Sequence, residues 1–319
     1  MSQALFITSF RHLKISEEID EYIEIIPGIN ITNNESIFEK LLTPELAQGI
    51  GILELNYLLT APNIVFGQYD NDDLKDKEDH PEALLLAIIL WIEGLFRNAW
   101  LIKDHAMECD AAFLQFNYNE SLSQLFSNYL AVRPAFADGT YSKEIEMSID
   151  ELKAWGSKND QIESYLHTKQ SLSISFMMEK GFSRTGRALQ FVTAARNSPN
   201  LAFRITHYCS AFETLFTTDS AELAHKLSER VAFFLGNQGH SKEKVFSDLK
   251  KAYTIRSKLT HGDTLNAKQI EELPLISKTC DRYLREIINT LFSQEQLLRV
   301  FDSHNEGVET YFHKLIFST

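Results

Sequence analysis

NSPNLAFRITHYCSAFETLF, residues 197–216, carries the clearest periodicity in the chain. Leu201, Ile205, Tyr208, Phe212 and Leu215 recur at spacings of 4, 3, 4 and 3. That rhythm lines one face of an α-helix and predicts a buried stripe. Ser198 and Pro199 read as its N-cap and first-turn residue. Upstream, Ala188, Leu189, Val192 and Ala195 repeat the pattern from Arg184 onward. Downstream, Asp219 and Glu222 offer a start signal for a helix through Leu223, Leu227, Val231 and Phe234, ended by Gly236. Ser241 caps a further helix that runs to His261 and stops at Gly262. A last long helix carries Ile276, Tyr283, Ile287 and Leu291, with Pro274 in its first turn or breaking it in two. Four or five helices with short connections predict a bundle.

Toward the N-terminus the pattern changes. Residues 4–10 (ALFITSF), 22–32 (YIEIIPGINIT) and 52–60 (ILELNYLLT) are rich in β-branched and aromatic residues and are punctuated as strands are. Residues 99–103 and 111–116 read as two more strands, 82–95 as a helix and 141–156 as an amphipathic helix. The expected fold class is α+β, a mixed α/β region over 1–160 followed by an all-α bundle over 161–319. Trp91, Trp100 and Trp155 are expected in the core, His225 and His240 at the surface, and residues 309–317 packed back on the bundle.

With 319 residues and 44% hydrophobic content, the chain can build a real core. Three separated cysteines, Cys109, Cys209 and Cys280, fit reduced thiols in a cytoplasmic setting and no disulfide framework. No signal peptide is read at the N-terminus, and the longest apolar run, 83–92, is half of what a membrane span needs. A net charge of −13 argues against a general nucleic-acid coat. Charge is uneven, however: residues 225–262 hold eight Lys or Arg against three acids, whereas 69–82 is an acidic stretch read as a solvated loop.

One residue breaks the pattern of the 241–261 helix. Val245, Leu249, Ala252 and Leu259 mark its apolar face, and the 4-3-4-3 rhythm places Arg256 on it. A buried unpaired charge costs several kcal/mol. Arg256 therefore needs an acid, for which Glu213 is in position, or a cleft or a partner. His261, just before the terminal glycine, suits the helix dipole whatever else it does.

The string Tyr253-Thr-Ile-Arg256-Ser-Lys-Leu-Thr-His261-Gly262 resembles the signature of the HEPN superfamily, and is most similar to its Apea-like group. The segments 187–216 and 223–236 share that group's character, and the resemblance covers about 184–292. It implies a HEPN-like bundle and a metal-independent endoribonuclease that works as a homodimer on RNA. Such enzymes serve as toxins or antiviral defence effectors, and an antitoxin or regulatory partner goes with that setting. Arg256 and His261 would be catalytic, and Glu213, Tyr253, Ser257, Lys258, Thr260 and Arg230 would support them or touch RNA. No metal and no cofactor is implied. The alternative is a non-catalytic HEPN module that binds RNA, a nucleotide or a partner protein. The chemistry suits the residue types: imidazole moves protons near neutral pH, and a guanidinium fork grips phosphate. Five residues separate Arg256 from His261, which sets them about 140° apart on an ideal helix. A two-fold pairing of this helix with its copy, placing two such pairs across one groove, accommodates that separation.

Overall fold

A computed structural model describes residues 3–70, 80–119, 122–129, 135–141, 143–167, 182–219 and 222–317. Most of the acidic stretch lies outside the described residues. The chain divides into two compact units, one of Met1–Pro134 with Ser142–Ile162, the other of Ala135–Tyr141 with Glu163–Thr319. The fold class is α+β, with the sheet in the first unit and a helical C-terminal region.

The first unit is built on an antiparallel sheet in the order β3-β4-β5-β1-β6-β7. Its strands are β1 (Gln3–Thr8), β3 (Ile23–Ile26), β4 (Ile29–Thr32), β5 (Ile64–Tyr69), β6 (Ala112–Asn119) and β7 (Leu122–Asn128). The short β2 (Leu13–Ile15) and β8 (Ile145–Met147) pair in parallel. Successive residues of a strand face opposite sides, so full burial of Phe6 and Ile7 in β1 requires cover on both. Three short helices supply one side: α1 (Glu35–Leu41), α2 (Pro44–Gly49) and α3 (Ile52–Leu59). Leu41, Leu46 and Leu58 pack there against Ile7, Phe66 and Phe113. The long α4 (Pro81–Ala99) packs against β6 and β7 and buries Leu85, Ile88, Ile92 and Leu95. It is joined to α5 (Ile149–His167) through Trp155 Nε1 donating to the Leu95 carbonyl (2.7 Å) and Asn98 donating to Asn159 (3.0 Å).

Several expectations fail in this unit. Residues 52–60 form a helix and not a strand. Their core contacts come from Leu55, Tyr57 and Leu58, while Ile52 and Leu53 are exposed. Residues 100–102 are the turn that ends α4, not a strand. The segment read as one helix from 141 is a strand followed by α5. Trp91, on α4, is 53% exposed, whereas Trp100 and Trp155 are core.

The second unit contains α6 (Arg184–Asn197), α7 (Leu201–Phe216), α8 (Leu223–Gly236), α9 (Lys242–His261), α10 (Ala267–Ser293), α11 (Glu295–Phe301) and α12 (Asn305–Phe317), with no strand among its described residues. The central helix is α7, in contact with α6, α8, α9 and α10. Leu201 is half-buried and the other members of its predicted stripe are fully buried. Its cap, however, is Asn200, whose Oδ1 accepts from the Ala202 and Phe203 amides, and not Ser198. An acid pins three helices together: Asp281, wholly buried, accepts from Arg196 (3.0 Å) and the Tyr208 hydroxyl (2.7 Å) and meets Arg285 at 3.2 Å. Residues 309–317 do pack back, with Phe312 against Phe216 and Phe301. Pro274 lies inside α10, which continues through it. The exposure of Ile270 and Leu275 leaves water to satisfy the carbonyl that the missing N–H would have served. His240 is half-buried, with Glu286 at 2.5 Å. Among the described residues no helix is long and apolar enough to cross a membrane.

Candidate active site

The site is built on α9. Ser241 caps it by accepting from the Lys244 amide, and Gly262 ends it at φ 76°, a left-handed conformation that favours glycine. Its buried face is Val245, Leu249, Ala252 and Ile255. Leu259 is only half-buried, so the apolar stripe turns one position earlier than its sequence rhythm suggested. Arg256 consequently stands at the margin of the core, with its side chain 26% exposed.

The guanidinium meets α7. Arg256 Nη2 lies 3.3 Å from Glu213 Oε1 and donates to Oε2 at 3.5 Å, while Oε1 is buried with no hydrogen-bond partner among the described residues. Nε and Nη1 have no acceptor among the described residues. The Tyr253 ring lies beneath, 5.2 Å from the guanidinium carbon. Burial raises the Glu213 carboxyl above its ordinary range, although Arg256 and the Tyr253 hydroxyl both favour its ionised form. Burial also pushes Tyr253 up, to about 12, reinforced by the charge of Glu213. These three residues form one electrostatic unit in which no charge is fully matched.

His261 is exposed at the last position of α9. Turning by 100° per residue, Lys250, Ser257 and His261 fall within about 40° of one another, and Tyr253 about 60° from Lys250. They form a solvent-side stripe, and Tyr253 sits between it and Arg256. Ser257 is half-buried, with no hydrogen bond to the described residues.

Three expected supporting residues are otherwise engaged. Arg230 is buried, pairs with Glu309 at 2.5 Å and donates to the Phe216 carbonyl, so it is structural and not an RNA contact. Lys258 Nζ reaches Gln269 (3.0 Å) and the Thr264 carbonyl (3.4 Å), which ties down the turn after α9. The Thr260 hydroxyl donates to the Arg256 carbonyl (2.8 Å), within its own helix.

Sequence reading missed an open groove of about 680 Å³ between the start of α8 and the middle of α9. Glu222, Leu223, Ala224, His225, Lys250 and Tyr253 line it. Glu222 precedes α8 in a left-handed conformation (φ 48°) and makes no side-chain cap, contrary to the expected start signal. The eight basic residues of 225–262 were the available hint, but which of them share a groove depends on how α8 packs on α9. Comparison with protein-family models, with curated proteins and with solved structures gives no match to this chain.

Proposed function

We propose that the C-terminal unit is a metal-independent endoribonuclease in which Arg256 grips the scissile phosphate and His261 moves protons. The observation that carries the reading is the half-engaged guanidinium. Arg256 is held in place by Glu213 and Tyr253 through one nitrogen and a ring face, and its remaining donors have no acceptor among the described residues. An arginine kept only to neutralise a buried acid would offer its whole fork. The resemblance of residues 253–262 to the HEPN string supplies the chemistry.

In that chemistry the RNA 2′-OH attacks its own phosphorus. His261 accepts the 2′ proton, and the bond to the 5′-oxygen breaks. A second imidazole, or water, protonates the leaving 5′-oxygen. The products are a 2′,3′-cyclic phosphate and a 5′-OH, with Arg256 stabilising the charge that builds on the phosphoryl oxygens. Because Arg256 and His261 point about 140° apart on one helix, one phosphate is served best by Arg256 of one copy and His261 of another. Ile270 (55% exposed) and Leu275 (68%), in the early turns of α10, offer apolar surface for such a homodimer. Cytoplasmic action fits three free cysteines, all buried. The same angular separation favours a second reading, a non-catalytic module that binds RNA, a nucleotide or a partner protein.

The two readings part in one experiment. Purified wild type and His261→Ala are incubated with RNA in EDTA, and fragment ends are mapped. Cyclic-phosphate ends from wild type alone support the nuclease. Intact RNA in both, or cleavage that needs added Mg²⁺, removes it.

A further inference from the structure

We infer that the groove between α8 and α9 binds a nucleotide of single-stranded RNA adjoining the scissile phosphate, with its base against His225 and Tyr253 and its phosphate on Lys250. The inference rests on the nuclease reading for its orientation, but the groove and its lining stand by themselves.

Tyr253 belongs to both places: it underlies Arg256 and forms part of the groove wall. A strand gripped at Arg256 therefore has the groove as its immediate continuation. Lys250 lies about 9 Å along the helix axis from Arg256, six residues at 1.5 Å each. That distance places the groove at a neighbouring nucleotide and not at the cut.

The lining suits a nucleotide. Leu223 and Ala224 give an apolar floor. His225 is exposed and stands edge-on to Phe246, with ring centroids 5.4 Å apart, so it is held as a flat surface at the rim. Bases stack on such rings with little regard to sequence. Lys250, also exposed, has its ammonium 5.9 Å from the Phe246 ring and no acid paired with it among the described residues. The acid in the lining is Glu222, itself exposed. Apart from Lys250 it is the groove's only formal charge among the described residues, which favours a strand whose phosphate lies on the Lys250 side. A base inside a duplex cannot enter, because its faces are already stacked, so the groove selects unpaired RNA.

The test uses the full-length protein and a labelled single-stranded RNA, either unmodified for cleavage or fully 2′-O-methylated for binding. His225→Ala and Lys250→Ala change exposed side chains and leave the core untouched. Loss of a base stack should weaken binding of the methylated RNA roughly 5- to 100-fold and raise KM in step, with kcat held. Lys250→Ala should also lower the slope of log affinity against log salt by about 0.7, the contribution of one phosphate on a single strand. A duplex of the same sequence should bind more weakly than the single strand. If wild type binds the methylated RNA but never cuts the unmodified one, the nuclease reading falls, and the groove is judged on the binding data alone. Unchanged affinity and salt slope in both variants overturn the groove, whatever the cleavage data show. No RNA binding by wild type overturns both.

Discussion

Replacing Glu213 with glutamine separates a residue kept for stability from one kept for its effect on Arg256. At 3.3 Å the Arg256–Glu213 attraction amounts to about 5 kcal/mol at an effective dielectric of 20. The Glu213 carboxyl nonetheless binds its proton more tightly than an ordinary glutamate does, with burial as the first cause. Desolvation therefore outweighs the attraction, and the ionised carboxylate is held at a net cost. Its sign in a pH titration follows. A raised carboxyl destabilises the fold above its own pKa, and that penalty is relieved as pH falls through the raised pKa toward the ordinary glutamate value. Glu213→Gln removes the penalty and keeps a polar group beside Tyr253 and Arg256, whose exposed edge can turn to water.

The variant should thus fold within about 1 kcal/mol of wild type at pH 7, a shift of a few degrees in melting temperature. The small gain that wild type makes between pH 7 and the ordinary glutamate range should be absent from it. Cleavage should suffer far more, because misplacing a phosphate-gripping group by about an ångström can cost around a hundredfold. Thermal melts at pH 5 and pH 7, beside initial cleavage rates, read both quantities. The opposite pattern, a stability loss of about 3–5 kcal/mol with full specific activity in the folded fraction, is what a purely structural buried pair gives. That result would refute the reasoning.

Other substitutions probe the remaining parts. His261→Ala should lower the cleavage rate about 10²- to 10⁴-fold while costing at most about 1 kcal/mol at the helix end, read by matched rate and melting measurements. Arg256→Lys keeps the charge but loses the planar fork, so cleavage should remain severely impaired even in EDTA-free buffer, and near wild-type rates would argue against phosphate gripping. Asp281→Asn leaves Arg196 and Arg285 beside a wholly buried neutral group and should destabilise the helical unit by about 3–5 kcal/mol, seen by chemical denaturation, whatever the protein's activity. Leu275→Asp should give a monomer by light scattering and lose cleavage together with the dimer. A fully active monomer would require Arg256 and His261 of one chain to reach one phosphate.

The helical unit was legible because its burial is one-sided. When a helix packs on one face, its apolar residues recur at three and four, and α7 follows that rhythm through Leu215. The first unit was harder for the converse reason. Its sheet is covered on both faces, so β1 reads as an unbroken apolar run, and short helices such as α3 read the same way. Trp91 was placed in the core because a large aromatic usually is, yet on α4 it is 53% exposed. Arg230 shows what local pattern cannot contain: its partner Glu309 is 79 residues away, brought back by α12.

The candidate site was half legible, and the division is physical. A charge that interrupts an apolar rhythm must be answered, and the interruption is visible in one dimension; so was Glu213, which flanks the face that answers it. The angular order around α9 is also fixed by residue number alone, and it puts Lys250, Ser257 and His261 on one side with Tyr253 between them and Arg256. What number cannot give is the opposing wall. The groove exists because Leu223 and His225 of α8 lie across from Lys250 and Tyr253, and no local feature of α8 announces that. The two kinds of information meet at Tyr253. Its hydroxyl interacts with Glu213, its ring lies under Arg256, and the residue also lines the groove, so the two parts of the site share one residue.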